Sequence, residues 1–264
     1  MSATTGPRPG LRRRAIGNRV LVALALAGSL ASPAAATEDP EKLFVGMEAA
    51  YAGVNDYTAR FERQERVQGA LRPREEILLK FQRPRRYYLK WLAGPSEGRE
   101  AIYVEGAWDN KVMIREPGVI SRLFSVLLDP DHPRVMRESR HPLTDVGIGR
   151  LIELVVENGR RALARGELVL VERGVGEEHG RRVRRVEAIL PRDPRGGYYC
   201  YRLLLSVDVE WRLPTRATVY DWDDRLVGDY EYREVRLNPG LRAEEFDPRN
   251  PAYGFPRWRL TLSR

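Results

Sequence analysis

Apolar and polar residues alternate over much of this chain, and this spacing places every second side chain on the same face of a β-strand. The alternation is clearest between residues 76 and 114, where short runs are separated by Gly and Pro residues that favour turns. The pattern predicts an antiparallel meander that includes a strand over residues 101–105. The apolar residues that share the inward faces of its first two strands are Ile77, Leu79, Phe81, Tyr87, Leu89 and Trp91.

The same alternation predicts strands on both sides of this meander. Before it, residues 56–67 place Tyr57, Ala59 and Phe61 on one face and polar side chains on the other. After it, strands are predicted over residues 167–173, 182–190, 199–209, 214–222 and 227–237. The run over residues 199–209 has six inward positions, which begin with Tyr199, Tyr201, Leu203 and Leu205. The chain is therefore predicted to be mostly β-sheet.

Two stretches have helical spacing instead. Residues 41–51 predict a short amphipathic helix, and a longer one is predicted from a cap at Thr144 or Asp145 to Gly166. Gly159 lies inside the longer helix and weakens it by about 1 kcal/mol relative to Ala. Four prolines between residues 117 and 142 predict a loop, in which residues 123–128 are expected to form one helical turn. This loop is either a lid or an ordinary packed connection. The fold class is predicted as α+β.

The N-terminus has the pattern of a secretory signal peptide. Arginines precede an apolar run over residues 20–30, and three alanines at residues 34–36 provide small residues for cleavage. The run is shorter than the roughly 20 residues that a membrane-spanning helix needs. We therefore predict a signal peptide over residues 1–36 and a single periplasmic domain over residues 37–264, with no membrane span after cleavage.

The net charge and the cysteine content argue against a nucleic-acid partner and against an intramolecular disulfide. The net charge is +8 for the whole chain and +3 without residues 1–36, and no cluster of basic residues suggests a nucleic-acid surface. We expect no nucleic-acid partner. The chain has one cysteine, Cys200, so no intramolecular disulfide can form. A lone thiol within an apolar strand pattern indicates a small buried hydrophobe.

Candidate catalytic and metal sites are few. His132 lies between Asp129, Asp131 and two prolines, a spacing that favours a turn over a set of metal ligands. His141 is near the predicted start of the long helix, where a capping role is more common than that of a catalytic base. We expect no catalytic residue, metal or cofactor, and thus no enzyme, although a hydrolase stays open as an alternative.

Several segments resemble the LolA-like fold. They are DYTARFERQERVQG at residue 56, LLKFQRPRRYYLKW at residue 78, and the C-terminal VYDWDDRLVGDYEYREVRLNPG. Over its whole length the chain resembles an uncharacterised bacterial envelope family with this fold, in which a segment like residues 140–149 opens the long helix. The resemblance implies an incomplete, half-open antiparallel β-barrel of about eleven strands wrapped around helices.

The resemblance also suggests a function. In the LolA carrier, the arginine of an Arg-Pro motif and nearby aromatic residues govern acyl-chain uptake, and these positions correspond to Arg83 and Tyr87. The leading hypothesis is a non-enzymatic protein that binds a lipid or an acylated protein in a hydrophobic cavity and meets a receptor at the inner or outer membrane. The predicted binding residues are Tyr57, Phe61, Ile77, Leu79, Phe81, Arg83, Tyr87, Leu89, Trp91, Tyr103, Tyr199, Tyr201, Leu203 and Leu205.

A second hypothesis has no cavity. The aromatic side chains then belong to an ordinary filled core, which is the more common environment for any single one of them. The protein would then be a periplasmic sensor or interaction module that uses the same fold to bind a protein partner. The two hypotheses differ in whether the interior of the sheet is hollow.

Overall fold

A computed structural model describes residues 39–118, 124–256 and 260–262. Three α-helices are present in these residues: α1 (Pro40–Ala52), α2 (Pro133–Met136) and α3 (Ile148–Ala164). The strands are β1 (Asp56–Val67), β2 (Ala70–Leu71), β3 (Glu75–Gln82), β4 (Arg86–Ala93), β5 (Glu100–Val104), β6 (Val112–Arg115), β7 (Ser125–Leu128), β8 (Val169–Glu178), β9 (Arg181–Ile189), β10 (Arg202–Asp208), β11 (Pro214–Tyr220), β12 (Leu226–Leu237) and β13 (Leu260–Leu262).

The strands form one open sheet. Its order is β13-β7-β6-β5-β4-β3-β1-β12-β11-β10-β9-β8, and the short β2 pairs with β1. All pairs are antiparallel except β13 with β7, so eleven strands from β7 to β8 make a continuous antiparallel sheet. The described strands do not close into a barrel, because β8 and β13 lie at opposite edges. The predicted α+β class and the half-open antiparallel barrel of about eleven strands are confirmed.

Helices α1 and α3 pack against the inner face of the sheet. The buried face of α3 includes Ile148, Ile152 and Val156, which join the main hydrophobic core. The predicted weak point at Gly159 does not interrupt the helix, because this glycine is where α1 contacts α3. A Cβ atom at Gly159 would lie 2.3 Å from Cζ of Phe44, so only glycine lets that ring approach.

Helix α3 begins later than the sequence predicts. Residues Leu143–Asp145 form a 3₁₀ turn, and the helix starts at Ile148 after Gly147, whose φ is +117°. Two backbone N–H groups at the start of α3 donate hydrogen bonds to tyrosine side chains of the sheet. Gly147 N–H donates to the hydroxyl of Tyr232 at 3.2 Å, and Ile148 N–H donates to the hydroxyl of Tyr57 at 3.0 Å. Two distant tyrosines therefore replace the expected local cap.

The outer face of the sheet is covered by the C-terminal segment after β12. The rings of Tyr88 and Tyr253 stack with centroids 3.9 Å apart, and Phe246 and Phe255 are buried against the same face. Lys80 forms an ion pair with Glu245 of this segment. The segment is largely irregular, as predicted, apart from the 3₁₀ helix Ala243–Phe246 and the short strand β13.

Two further predictions need correction. Residues Ser125–Leu128 form strand β7 rather than a helical turn, because they pair with β6 and extend the sheet. Strand β10 begins only at Arg202, so Tyr199 and Tyr201 precede it, and Val209 after it is 43% exposed. The predicted signal peptide and residues 119–123 lie outside the described residues. No described helix combines the length and apolar character needed to cross a bilayer.

Candidate functional site

A cavity of about 150 Å³ lies between the inner face of the sheet and helix α3. In this measure a single water needs roughly 15 Å³, so the cavity is larger than one that holds a single water. Most of its wall is apolar, and it draws on strands from both halves of the sheet. The strand residues of this apolar wall are Phe61, Ile77, Leu89, Trp91, Ile114, Leu128, Leu170, Val186, Ala188, Leu203, Leu205, Val219, Tyr230 and Tyr232.

The opposite wall is formed by α3 and by the segment that connects β7 to α3. Helix α3 contributes Leu151, Leu154 and Val155, and the connecting segment contributes Val135, Leu143 and Val146. These apolar side chains are partly buried, and all except Leu154 also pack against the main hydrophobic core. The apolar face of α3 therefore contributes both to the core, through Ile152 and Val156, and to the cavity wall.

Ion pairs hold the connecting segment against the sheet. The guanidinium of Arg99, between β4 and β5, lies 2.7 Å from Glu138 and 2.9 Å from Glu116. Glu116 also accepts from Arg134 at 3.0 Å. Arg99 thus links the segment to the sheet beside the cavity.

Part of the cavity wall is a hydrogen-bonded polar cluster. His141 Nε2 is 2.8 Å from the hydroxyl of Tyr199, and Tyr230 donates its hydroxyl proton to Glu65 Oε1 at 2.8 Å. The other oxygen of Glu65 accepts from the backbone N–H of Arg140 at 3.2 Å. Burial lowers the pKa of His141 and raises those of Tyr199 and Tyr230. His141, Tyr199 and Tyr230 are therefore neutral near pH 7.

Cys200 also lines the cavity and is buried, as the sequence predicts. Burial raises the pKa of its thiol to about 12. The thiolate is the reactive form of cysteine, so this residue is unreactive near neutral pH. It contributes a small apolar surface.

A second, polar cavity of about 110 Å³ adjoins the first. Arg63, Glu65, Arg99 and Glu138 line both cavities. The exposed residues Arg72, Pro73 and Pro95 line only the second, which therefore reaches the protein surface. The site as a whole has an apolar interior and a charged outer compartment.

The structure places the fourteen predicted binding residues in three environments. Seven line the apolar cavity: Phe61, Ile77, Leu89, Trp91, Tyr199, Leu203 and Leu205. Five are buried in the core beside it, under the start of α3: Tyr57, Leu79, Phe81, Tyr87 and Tyr103. Arg83 and Tyr201 lie outside both groups.

The guanidinium of Arg83 forms hydrogen bonds with backbone carbonyls at the end of helix α1. Its Nε donates to the carbonyl of Val54 at 2.6 Å, and one terminal nitrogen donates to that of Tyr51 at 2.9 Å. Its guanidinium also lies 4.8 Å from the centre of the Tyr51 ring. Tyr201 is partly buried, with the guanidinium of Arg192 at 4.7 Å from its ring centre. A role for either residue in binding stays a prediction.

The sequence-based prediction did not include the charged residues of the site, although β1 carried a signal for two of them. Arg63 and Glu65 continue the alternation that places Tyr57, Ala59 and Phe61 on the inward face. Charged residues on an apolar face indicate a polar compartment there. Tyr230 and Tyr232 also alternate, but inclusion in the site depends on where α3 lies, which the strand pattern does not reveal.

The histidines have structural contacts. The side chain of His132 accepts a hydrogen bond from the backbone N–H of Arg134 at 3.2 Å and caps α2. His141 does not cap α3, because it lies seven residues before the helix starts and bonds Tyr199 instead. Within the described residues, no three His, Cys, Asp or Glu side chains are grouped as metal ligands.

A family model described as "Protein of unknown function (DUF1571)" matches residues 54–255. The chain belongs to this family. The match spans every strand from β1 to β12 and confirms the resemblance to an uncharacterised family. None of the curated proteins matches this DUF1571 chain.

Solved structures match this DUF1571 protein at low identity. MucB is 14% identical with a TM-score of 0.45, over 79% of this chain and 62% of MucB, so the chain spans less than two thirds of that protein. An uncharacterized conserved protein from Thermus thermophilus is 11% identical with a TM-score of 0.45, over 84% and 98% of the two chains. A LolA superfamily protein from Nitrosomonas europaea is 11% identical with a TM-score of 0.35, over 79% and 97%. MucB is also known in complex with MucA(peri).

Proposed function

We propose that this protein is a non-enzymatic periplasmic binding protein that holds the acyl chain of a lipid or of an acylated protein in the apolar cavity. The observation that supports this most directly is the hollow between the sheet and α3, which is walled by aliphatic and aromatic side chains. Small barrels with such an interior can hold one ligand. The alternative hypothesis of a filled core does not predict this space.

The chemistry of the wall favours an alkyl chain over a polar ligand. Each methylene group that leaves water for an apolar wall contributes about 0.8 kcal/mol of binding free energy. Part of the wall is polar: Glu65, His141, Tyr199 and Tyr230 form hydrogen bonds there, and Arg99 pairs with Glu138. A ligand with an apolar tail and a polar end matches this division.

Extraction of the purified protein with organic solvent, followed by mass spectrometry, tests the proposal together with titration of a fluorescent fatty acid. We expect a bound lipid in the extract or saturable binding of the probe at one site. The absence of both would refute the proposal.

A cavity-filling variant locates the site. Leu203→Trp adds a large side chain at the cavity wall, and we expect it to reduce binding of the probe at least tenfold. Val169→Trp makes a similar change on edge strand β8, where Val169 is 55% exposed and lies outside the cavity. Both variants should unfold at temperatures close to that of the natural protein. If both lose binding equally, the probe does not occupy this cavity.

The edge strand β8 favours a second candidate function. Its outer side has no partner strand among the described residues, and Val169 and Val175 are 55% and 57% exposed. An exposed edge can add an extended segment of another protein as a further strand. A proline substitution at Val175, which does not line the cavity, would weaken a protein complex of this kind and leave lipid binding intact, so the two functions can be tested separately.

A further inference from the structure

His141 is a titratable side chain in the wall of the apolar cavity. Its imidazole lies against two aromatic rings, with centroid distances of 5.7 Å to Tyr199 and 6.1 Å to Tyr230. Its Nε2 is also 2.8 Å from the hydroxyl of Tyr199. Both tyrosines line the cavity as well. The imidazole is therefore part of the surface that an apolar ligand would cover.

Charged groups of both signs lie around this imidazole. Glu65 and Asp145 favour its protonated form, whereas Arg140 and Arg150 oppose it. Burial has a larger effect than any of these charges, and it lowers the pKa of His141 below its ordinary value. The titratable and charged groups that face His141 are Glu65 of β1, Tyr230 of β12, Tyr199 between β9 and β10, Arg140 and Asp145 of its own segment, and Arg150 of α3. The charge state of the ring is thus governed mainly by its access to water.

A ligand in the cavity changes that access. The cavity is large enough for water, and an apolar chain that fills it replaces water-accessible space beside the ring with hydrocarbon. An imidazolium loses more free energy by this exchange than a neutral imidazole does, because burial without an added partner disfavours the charged form. Binding and protonation therefore oppose each other, and by linkage each weakens the other to the same extent.

We propose that protonation of His141 releases the ligand, so that the protein holds an apolar chain while this ring is neutral and gives it up in acid. This inference rests on the proposed function and adds a control on it. The control is local to the cavity wall, because the proton that weakens binding is taken up by a residue that the ligand covers. It requires neither a second binding site nor a movement of α1 or α3.

Titration calorimetry with 1-decanol tests the inference. This probe has an alkyl chain and no group that titrates near neutral pH, so a change in its affinity with pH comes from the protein. One proton can change Kd by at most about tenfold per pH unit. We expect decanol to bind at least about threefold more weakly at about pH 5 than at about pH 8, on either side of the ordinary histidine pKa of about 6.5.

His141→Gln should bind decanol with the same affinity at both pH values, because glutamine keeps a polar side chain and cannot take up the proton. His179→Gln is the matched control. The Nε2 of His179 also lies 2.8 Å from a partner, Glu231, but His179 does not line the cavity. This control should keep the dependence on pH. Circular dichroism at both pH values should show that the natural protein and both variants stay folded.

The outcomes distinguish failure of the inference from failure of the proposed function. Equal affinity of decanol for the natural protein at both pH values, or a dependence on pH that survives in His141→Gln, would overturn the inference and leave the proposed function standing. If decanol binds at neither pH, both fail.

A second measurement does not depend on the folding of a variant. The chain has three histidines, so proton NMR gives few imidazole signals, and that of His141 is identified by its contact with the Tyr199 ring. Saturation with decanol should lower the pH at which the His141 signal titrates and should leave the other two histidine signals unchanged. An unchanged His141 midpoint in the loaded protein would contradict the inference.

Discussion

The two faces of strand β4 are both buried, yet they are buried in different ways. On the outer face, Tyr88 stacks directly on Tyr253 of the C-terminal segment. On the inner face, Trp91 borders a cavity. The outer cover is a largely irregular segment that stacks directly on the strand, whereas the inner cover, helices α1 and α3, leaves a cavity between α3 and the sheet. An apolar alternation therefore shows that a face is covered, but not how completely.

The difference in packing between the two faces should appear most strongly as a loss of stability when Tyr88 on the outer face is truncated. Tyr88→Ala removes a ring that is 1% exposed and closely packed, and we expect it to lower the free energy of unfolding by about 3–5 kcal/mol. Leu203→Ala, at the partly exposed cavity wall, should cost less than about 2 kcal/mol because the neighbouring space is already empty. Urea unfolding measures both. Equal losses would mean that the inner face is packed as closely as the outer one.

A substitution at the contact between α1 and α3 should have the next largest effect on stability. Gly159→Ala places a Cβ atom against the Phe44 ring, and the required shift of α1 should cost about 1–3 kcal/mol. Gly46→Ala in α1 is the control, because a Cβ atom there has no neighbour within 4 Å. It should be neutral or stabilise the helix by up to about 1 kcal/mol. Thermal unfolding compares the two variants, and a neutral Gly159→Ala would show that α1 can move freely.

His141 should make the free energy of unfolding depend on pH. Burial lowers its pKa in the folded state below the unfolded value of about 6.5. The unfolded chain then binds the proton more readily, so stability is complete above about pH 6.5 and decreases as the pH falls toward the folded pKa. The slope from this residue is at most about 1.4 kcal/mol per pH unit. His141→Gln should flatten the dependence of unfolding free energy on pH in this range, and an unchanged curve would contradict the assignment.

The smallest expected effect is the change in binding affinity when the acyl chain of the ligand is lengthened by one methylene. Each added methylene should improve binding by about 0.8 kcal/mol, which is roughly fourfold in Kd. The gain should end at the chain length that fills the cavity, because further methylenes would stay in contact with water. Calorimetry with a series of acyl chains from six to sixteen carbons measures the end point. Continued improvement to sixteen carbons would require the cavity to expand.

The strands were predictable where local spacing alone defines them. Ile77, Leu79 and Phe81 alternate without interruption, and the structure buries all three. The start of α3 was not predictable from nearby residues, since the hydroxyls that bond it belong to Tyr57 and Tyr232, 91 and 85 positions away along the chain. A four-residue apolar run such as Ser125–Leu128 is compatible with a helical turn or a strand, and only its pairing with β6 decides.

The candidate site was predictable in its apolar part only. Phe61 and Trp91 were expected to face inward, and they do. Whether an inward side chain borders space or another side chain depends on the path of the covering helix. Tyr57 and Phe81 are core residues away from the cavity, whereas Phe61 belongs to the same core and also borders the cavity. The contact of His141 with Tyr199 likewise depends on three-dimensional surroundings that spacing does not encode.

Strands β1 and β12 join the two halves of the sheet, and Tyr57 pairs there with Leu237, 180 positions further along the chain. Contacts between such distant parts of a sequence form slowly, because a long loop must close before they become favourable. The cavity takes residues from both halves, so it cannot exist in a partly synthesised or truncated chain. We expect the binding site to be among the last features to appear during folding and among the first to disappear when the C-terminal strands are removed.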